Sequence, residues 1–254
     1  MKSLISSLIL INYIGIIAAQ EIKAPLLPEV KAILDIQLPT EQEMDQNAYV
    51  SLFGMMFTDD NYHTIAKRII LDNIQYTKNK ITHKATNSKQ RPTTINYNTI
   101  NLNREIAGES YAYPCHNFSN LHCIDDILNK PELNALLANN QTLVHRYQTI
   151  TQLPFYKAYY RDSKAPFRLG QNWITVVFLS SLNQIKAIQL IEKRDIKAGL
   201  SILQNEMAFY KKILISNGDI FDQTIAMILL LKTIILLSNY LIYLSCAKSS
   251  IIPC

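Results

Sequence analysis

Tyr113–Ile150 reads YPCHNFSNLHCIDDILNKPELNALLANNQTLVHRYQTI. Two cysteines and two histidines (Cys115, His116, His122 and Cys123) fall within its first eleven residues, and an amphipathic stretch follows. Ile124, Ile127 and Leu128 make one apolar stripe. Pro131 suits the first turn of a further helix, because its missing N–H is unpaired there anyway. Leu133, Leu136, Leu143, Val144 and Tyr147 then recur at helical spacing over Pro131–Ile150. Asp125 and Asp126 stand in a first turn, where the helix dipole favours acid. As neighbours they face different directions, so they read as capping or surface acids and not as a catalytic pair. His145 and Arg146, near the end of the pattern, suit the same dipole. This stretch decides for an all-α fold: an irregular helical bundle or a helical-hairpin array.

The two cysteines admit three readings. In an oxidising compartment, cysteines this close pair readily; closing so short a loop stabilises the fold by about 2.5 kcal/mol. A Cys115–Cys123 disulfide would pin the polar loop before it to the helices after it. Free thiols are the second reading. The third is a metal site using Cys115, His116, His122 and Cys123, whose residue types suit zinc or copper. Adjacent Cys-His ligands point apart, however, and neither C-x2-C nor H-x3-H spacing is present, so His116 and His122 are weak candidates and no metal is favoured. No cofactor is implied.

Downstream, Leu153–Gln171 holds Pro154, Pro166 and the aromatics Phe155, Tyr156, Tyr159 and Tyr160. It reads as a connector whose rings pack over helices. Trp173–Ile191 and Ile196–Ser216 are amphipathic helices separated by a charged turn, Glu192–Asp195. Asn217-Gly218-Asp219 supplies a C-cap glycine and the next N-cap. Ile225–Ala247 then carries one charge, Lys232, in 23 residues. It fits either a buried central helix or a second transmembrane helix, since its leucines and isoleucines offset Lys232 and Asn239 on insertion scales. The buried reading is preferred, because nothing else marks a second crossing. Lys248–Cys254 is a short tail, and Cys246 and Cys254 have no evident partner.

Upstream, Met1–Gln20 has one lysine and then an uncharged run, the pattern of an export signal. Ala19 offers a cleavage site with a bulky Ile17 at −3, so a cleaved signal peptide and an uncleaved signal anchor both fit. Residues 21–46, with Pro25, Pro28 and Pro39, read as a linker with one helical turn at Glu29–Ile36. The helical domain runs from 47 to 247. It opens with two helices over Asn47–Tyr76, broken near Thr58–Asp60, with His63 as a capping or surface residue. A polar loop occupies about 77–112.

Composition agrees with helix. The chain has 254 residues and 6 glycines, too few for many tight turns. Its net charge of +5 is spread among mixed signs, which argues against a nucleic-acid partner. No G-x-S-x-G, HExxH, Walker or dinucleotide motif occurs; Ser110 in AGESY lacks the second glycine of a nucleophile elbow.

NAYVSLFGM after an N-terminal hydrophobic segment, then the PC…C pair, then LLANNQTLVHRY, resembles a loose group of uncharacterised Gram-negative bacterial envelope proteins. The likeness runs to about residue 220; in that group the last helix is less uniformly apolar than Ile225–Ala247. The group has no assigned activity and lends no site residues. The resulting expectation is an exported helical protein of the envelope, inner-membrane anchored or periplasmic, with a structural or interaction role. Its partners would be the membrane, through residues 1–20, and another envelope protein. The alternatives are an envelope hydrolase or metal-binding enzyme using the Cys115–Cys123 cluster, and a membrane protein with a second transmembrane helix at 225–247.

Overall fold

Thr40 opens the first helix with a reciprocal cap. Its Oγ1 accepts from the Glu43 N–H at 3.1 Å, and Glu43 Oε2 accepts from the Thr40 N–H at 2.8 Å. The resulting helix α1 (Glu41–Asp45) buries Met44, so the packed domain begins earlier than the proline spacing predicts. The computed structural model describes residues 38–82, 98–106, 109–110, 113–115, 122–159, 170–216 and 220–248, all within one unit that starts at Leu38. The export segment 1–20, the turn at Glu29–Ile36, much of the polar loop, His83, His116, Tyr160, the Asn217–Asp219 turn, the tail after Lys248 and the Cys246 and Cys254 side chains lie outside the described residues.

Helix accounts for 76 % of the described residues, and the fold is all-α. After α1 come α2 (Ala48–Gly54) and α3 (Tyr62–Thr82). A two-residue ladder, β1 (Glu105–Ile106) against β2 (Glu109–Ser110), follows in the polar region. Then come α4 (Cys123–Asn129), α5 (Glu132–Asn139), α6 (Gln141–Gln152), α7 (Gly170–Glu192), α8 (Ile196–Leu214) and α9 (Ile220–Lys248). Helix α8 lies between α7 and α9 and makes the two most extensive helix contacts with them. The core runs along α7 through Trp173, Val176, Leu179, Leu182, Ile185 and Ile188, all buried.

Two glycines set helix spacing. A Cβ at Gly54 would collide with the Tyr62 carbonyl oxygen and with Ala66, so α2 can meet α3 only through a bare Cα. A Cβ at Gly199 would lie 2.5 Å from the Ala187 carbonyl oxygen and from Ile191 Cγ1, which fixes the closest approach of α8 to α7.

The continuous helix expected over Pro131–Ile150 is instead two helices broken at Asn140. That buried side chain donates to the Leu136 carbonyl (2.9 Å) and to the Asn103 carbonyl (2.9 Å), and accepts from the Asn103 N–H (3.1 Å). It behaves as a strand partner for the incoming loop, and the helix breaks to present it. Asn47 does the same for the connector after α6, pairing with both backbone groups of Lys157 at 2.8 and 3.0 Å. The connector's rings pack as expected: Tyr49 meets Tyr156 and Tyr159 edge-on.

Arg146 differs from its expected role. It is a buried side chain whose guanidinium donates to the Met55, Phe57 and Asp59 carbonyls and stacks 4.3 Å from the Tyr62 ring centroid. It thereby gathers carbonyls of the turn between α2 and α3, and locks the α2–α3 pair onto α6. Its neighbour His145 is exposed.

Candidate functional site

Cys115 and Cys123 form a disulfide. Both sulfurs are therefore taken, and neither remains for metal or for nucleophilic attack. Cys123 begins α4 and accepts from Asn239 Nδ2 of α9 at 3.4 Å, while Tyr113 beside the bridge donates to Gln184 Oε1 of α7 at 2.7 Å. The bridge so anchors the polar segment to two core helices. His122 points outward beside Asp125 at 3.6 Å, and Asp126 pairs with Lys130 at 3.2 Å, as surface acids do. Among the described residues, no group of three or more His, Cys, Asp and Glu side chains comes together to hold a metal.

A serine–histidine–aspartate contact forms elsewhere, at residues where no catalytic motif stands. Ser51 Oγ of α2 lies 2.7 Å from His63 Nδ1 of α3, and His63 Nε2 faces Asp45 Oδ1 of α1 at 3.5 Å. Asp45 also accepts from Lys67 Nζ at 2.7 Å, which holds its carboxyl below the usual range. Burial pushes the His63 imidazole down, and Asp45 opposes it. The residue types and order of contact are those of a nucleophile, base and orienter. The setting is not: Ser51 is 4 % exposed inside a helix whose first N–H groups are taken by the Phe155 carbonyl and by Asn47. Acyl transfer needs an open face where a carbonyl meets both the nucleophile and oxyanion donors about 3 Å away. The contact serves instead to tie α1, α2 and α3 together, and it corrects the reading of His63 as a capping or surface residue.

The densest polar arrangement is in the core of the α6–α9 bundle, centred on Glu206 of α8, which is fully buried. Asn183 Nδ2 donates to its Oε1 at 3.1 Å and Gln184 Nε2 to its Oε2 at 3.3 Å. Gln184 also donates to Thr233 Oγ1 of α9 at 3.0 Å. The Tyr210 hydroxyl joins Tyr147 OH at 2.9 Å and Ser180 Oγ at 2.7 Å. Asn183 Oδ1 in turn accepts from Gln148 Nε2 at 2.6 Å, and Gln148 Oε1 from Lys186 Nζ at 3.3 Å. Burial pushes the Glu206 carboxyl up to about 7, with the amides of Asn183 and Gln184 pulling the other way. Burial likewise raises Tyr147 and Tyr210 well above the ordinary phenol range. The network fixes the register of four helices, since each amide has partners on different elements.

A second buried carboxylate, Asp222 in the first turn of α9, accepts from Trp173 Nε1 at 2.7 Å and from Tyr156 OH at 2.8 Å. Tyr240 OH near the other end of α9 donates to Glu192 Oε1 at 2.9 Å. One side of α9 is thus hydrogen-bonded into the bundle along its length. The other side is bare: Ile220, Met227, Leu231, Ile234 and Leu241 are all exposed.

The sequence reading missed this core. Its signal was present: Ser180, Asn183 and Gln184 stand at i, i+3 and i+4 within an apolar helix, and Glu206 shares a face with Leu203, Phe209 and Tyr210. Stretches Trp173–Glu192 and Ile220–Ser245 are both long and apolar enough to cross a membrane by length and composition. No family model, curated protein or solved structure matches this chain.

Proposed function

We propose that the chain is an exported protein of the bacterial envelope whose helical domain acts by binding, through the bare apolar face of α9. Met1–Gln20 supports export, and the Cys115–Cys123 bridge suits an oxidising compartment. The observation that carries the binding role is the exposed row along α9, where side chains such as Leu231 (48 %) and Leu241 (66 %) meet solvent. Monomeric soluble proteins rarely leave so long an apolar band uncovered. The inward face of α9, with Asp222, Thr233, Asn239 and Tyr240 each hydrogen-bonded to the bundle, favours a docking helix over a second membrane crossing. Drawn into lipid, those partners would lose their bonds.

Fractionation of cells producing the full chain tests export. Recovery with the envelope, with Cys115 and Cys123 protected from alkylation until reduction, is expected. Recovery in soluble cytoplasm with residues 1–20 intact would sink the proposal. The binding role is tested by Leu231→Glu, which places a charge on the face: it should abolish recovery of the chain in high-molecular-weight envelope complexes while leaving the fold intact.

A further inference from the structure

The bare face of α9 has a period. Ile220, Met227, Ile234 and Leu241 recur every seven residues, and Thr224, Leu231, Ser238 and Ser245 recur every seven residues four positions later. All eight are exposed. This alternation of three and four is the seam by which one helix packs against another. No charged residue falls in it.

The seam has a polarity of size. Large side chains dominate its first half, whereas serines take alternate positions in its second. Reversing the helix against itself about a point between Leu231 and Ile234 places Ile220 opposite Ser245, Thr224 opposite Leu241, Met227 opposite Ser238 and Leu231 opposite Ile234. Each outer layer then joins one large and one small residue, which fills space without crowding. A parallel pairing would set serine on serine and leucine on leucine in separate layers. The hydroxyls are prepared for burial. Thr224 Oγ1 already donates to the Ile220 carbonyl at 2.6 Å, and Ser245 Oγ to the Ile242 carbonyl at 2.7 Å. Covering these two hydroxyls would leave neither donor unpaired.

We propose that this seam is a two-fold interface on which α9 packs antiparallel against α9 of a second copy of the chain. The proposal rests on the binding role of that face and names its partner. The large apolar residues of the band, including the flanking Phe221, Ile228 and Ile242, are 42–82 % exposed. Covering such a face approaches the roughly 800 Å² per partner that a stable interface buries. The same patch serves both copies, as two-fold symmetry requires. A flat lipid surface would gain nothing from serines set opposite leucines.

Cysteine cross-linking of the full chain in the cells that make it tests the pairing, in a background with Cys246→Ser and Cys254→Ser. Thr224→Cys and Leu241→Cys chains, carried on two distinguishable tags, are produced separately and together and then oxidised. The antiparallel arrangement brings 224 of one copy to 241 of the other, but holds the two copies of 224 about 25 Å apart. A covalent dimer at least tenfold more abundant in the mixture than in either variant alone is expected, and the Met227→Cys and Ser238→Cys pair should repeat it. Equal linking by single variants overturns the antiparallel register. No linking in either pair, with the Cys115–Cys123 bridge intact, overturns self-pairing. The wild-type chain and its Leu231→Glu variant are then compared on vesicles of phosphatidylcholine and phosphatidylglycerol. If that substitution lowers recovery at least tenfold while no pair links, a lipid surface is the occupant and the binding role of the face survives. If it changes neither vesicle recovery nor envelope complexes, that role falls too.

Discussion

Helices α7 and α9 are close in length and apolar character, yet they do opposite things. Both contain a stretch apolar enough to cross a membrane, but 72 % of that stretch is buried in α7 and 39 % in α9. The difference lies in where their few polar residues point. In α7, Thr175, Ser180, Ser181, Asn183 and Gln184 all face inward, and most of the apolar residues between them along the helix are buried as well. In α9, Asp222, Thr233 and Asn239 also face inward, but the opposite face is apolar and meets solvent. Apolar side chains such as Leu229 and Leu236 are buried beside those polar groups, so α9 is apolar on both its faces. Polar residues orient a helix here more than hydrophobic ones do, because a buried polar group must find its partner whereas a leucine is content on many surfaces.

If that contrast is right, the polar core under α7 should be the most sensitive place in the bundle. Asn183→Ala removes a donor to Glu206 and the acceptor for Gln148 together. An under-satisfied buried carboxylate should cost about 3 kcal/mol at pH 8. The loss should shrink at pH 5, where the carboxyl is protonated and needs less support. Urea unfolding followed by circular dichroism at the two pH values measures both.

Glu206 itself gives the next largest effect, and one with a sign. Its folded pKa of about 7 lies above the ordinary 4.5, so the folded state binds that proton more tightly than the unfolded chain does. Its contribution is therefore full below about 4.5 and is lost as pH rises to 7, for a total of about 3 kcal/mol. His63 acts in the other sense: its folded pKa is lowered, so protonation of the unfolded chain removes stability as pH falls. Glu206→Gln keeps the shape and His63 while removing the titration. The variant should be more stable than the wild type above pH 7, and the difference should close toward pH 5. A constant difference across that range would mean that Glu206 stays ionised in the core.

The inward face of α9 comes third. Asp222→Ala takes an acceptor from Trp173 Nε1 and from Tyr156 OH, and should cost about 2 kcal/mol. Trp173 is the only tryptophan in the chain, so its emission reports the change directly. A shift without unfolding is expected. An unchanged spectrum would show that α9 is not held at this end.

Much of the architecture was legible from residue spacing alone. The helix periods of α3, α4, α7 and α8 predict those elements, and two close cysteines in a chain that opens with an export-type segment favour the bridge over free thiols or a metal. What escaped was decided by single polar groups acting across distance. Nothing local marks Asn140 as a loop partner for Asn103, thirty-seven residues away, yet that pairing breaks a helix. Arg146 looks like a surface charge at a helix end until the carbonyls of Met55, Phe57 and Asp59 arrive from far upstream. His63 reads as a cap because neither Ser51 nor Asp45 stands at helical spacing from it. The double nature of α9 was hidden for a different reason: a helix apolar all round gives no period for burial, and only Asp222, Thr233 and Asn239 reveal which side turns inward.

The smallest predicted effect is the sharpest test of the α7–α9 contrast. Leu182 in α7 and Leu231 in α9 are both leucines in apolar helix interiors. Leu182 is fully buried, and truncating such a side chain to alanine costs roughly 2–5 kcal/mol through lost transfer energy and the cavity left behind. Leu231 is 48 % exposed, so its outer half gains nothing from folding the single chain. Leu231→Ser should therefore change unfolding free energy by about 1 kcal/mol, well short of the Leu182→Ala loss, when measured in dilute monomer. If the serine variant instead loses as much as Leu182→Ala at every protein concentration, the face is covered within one chain and the contrast fails. If the loss appears only as concentration rises, the face is covered between chains, and mass action accounts for the difference.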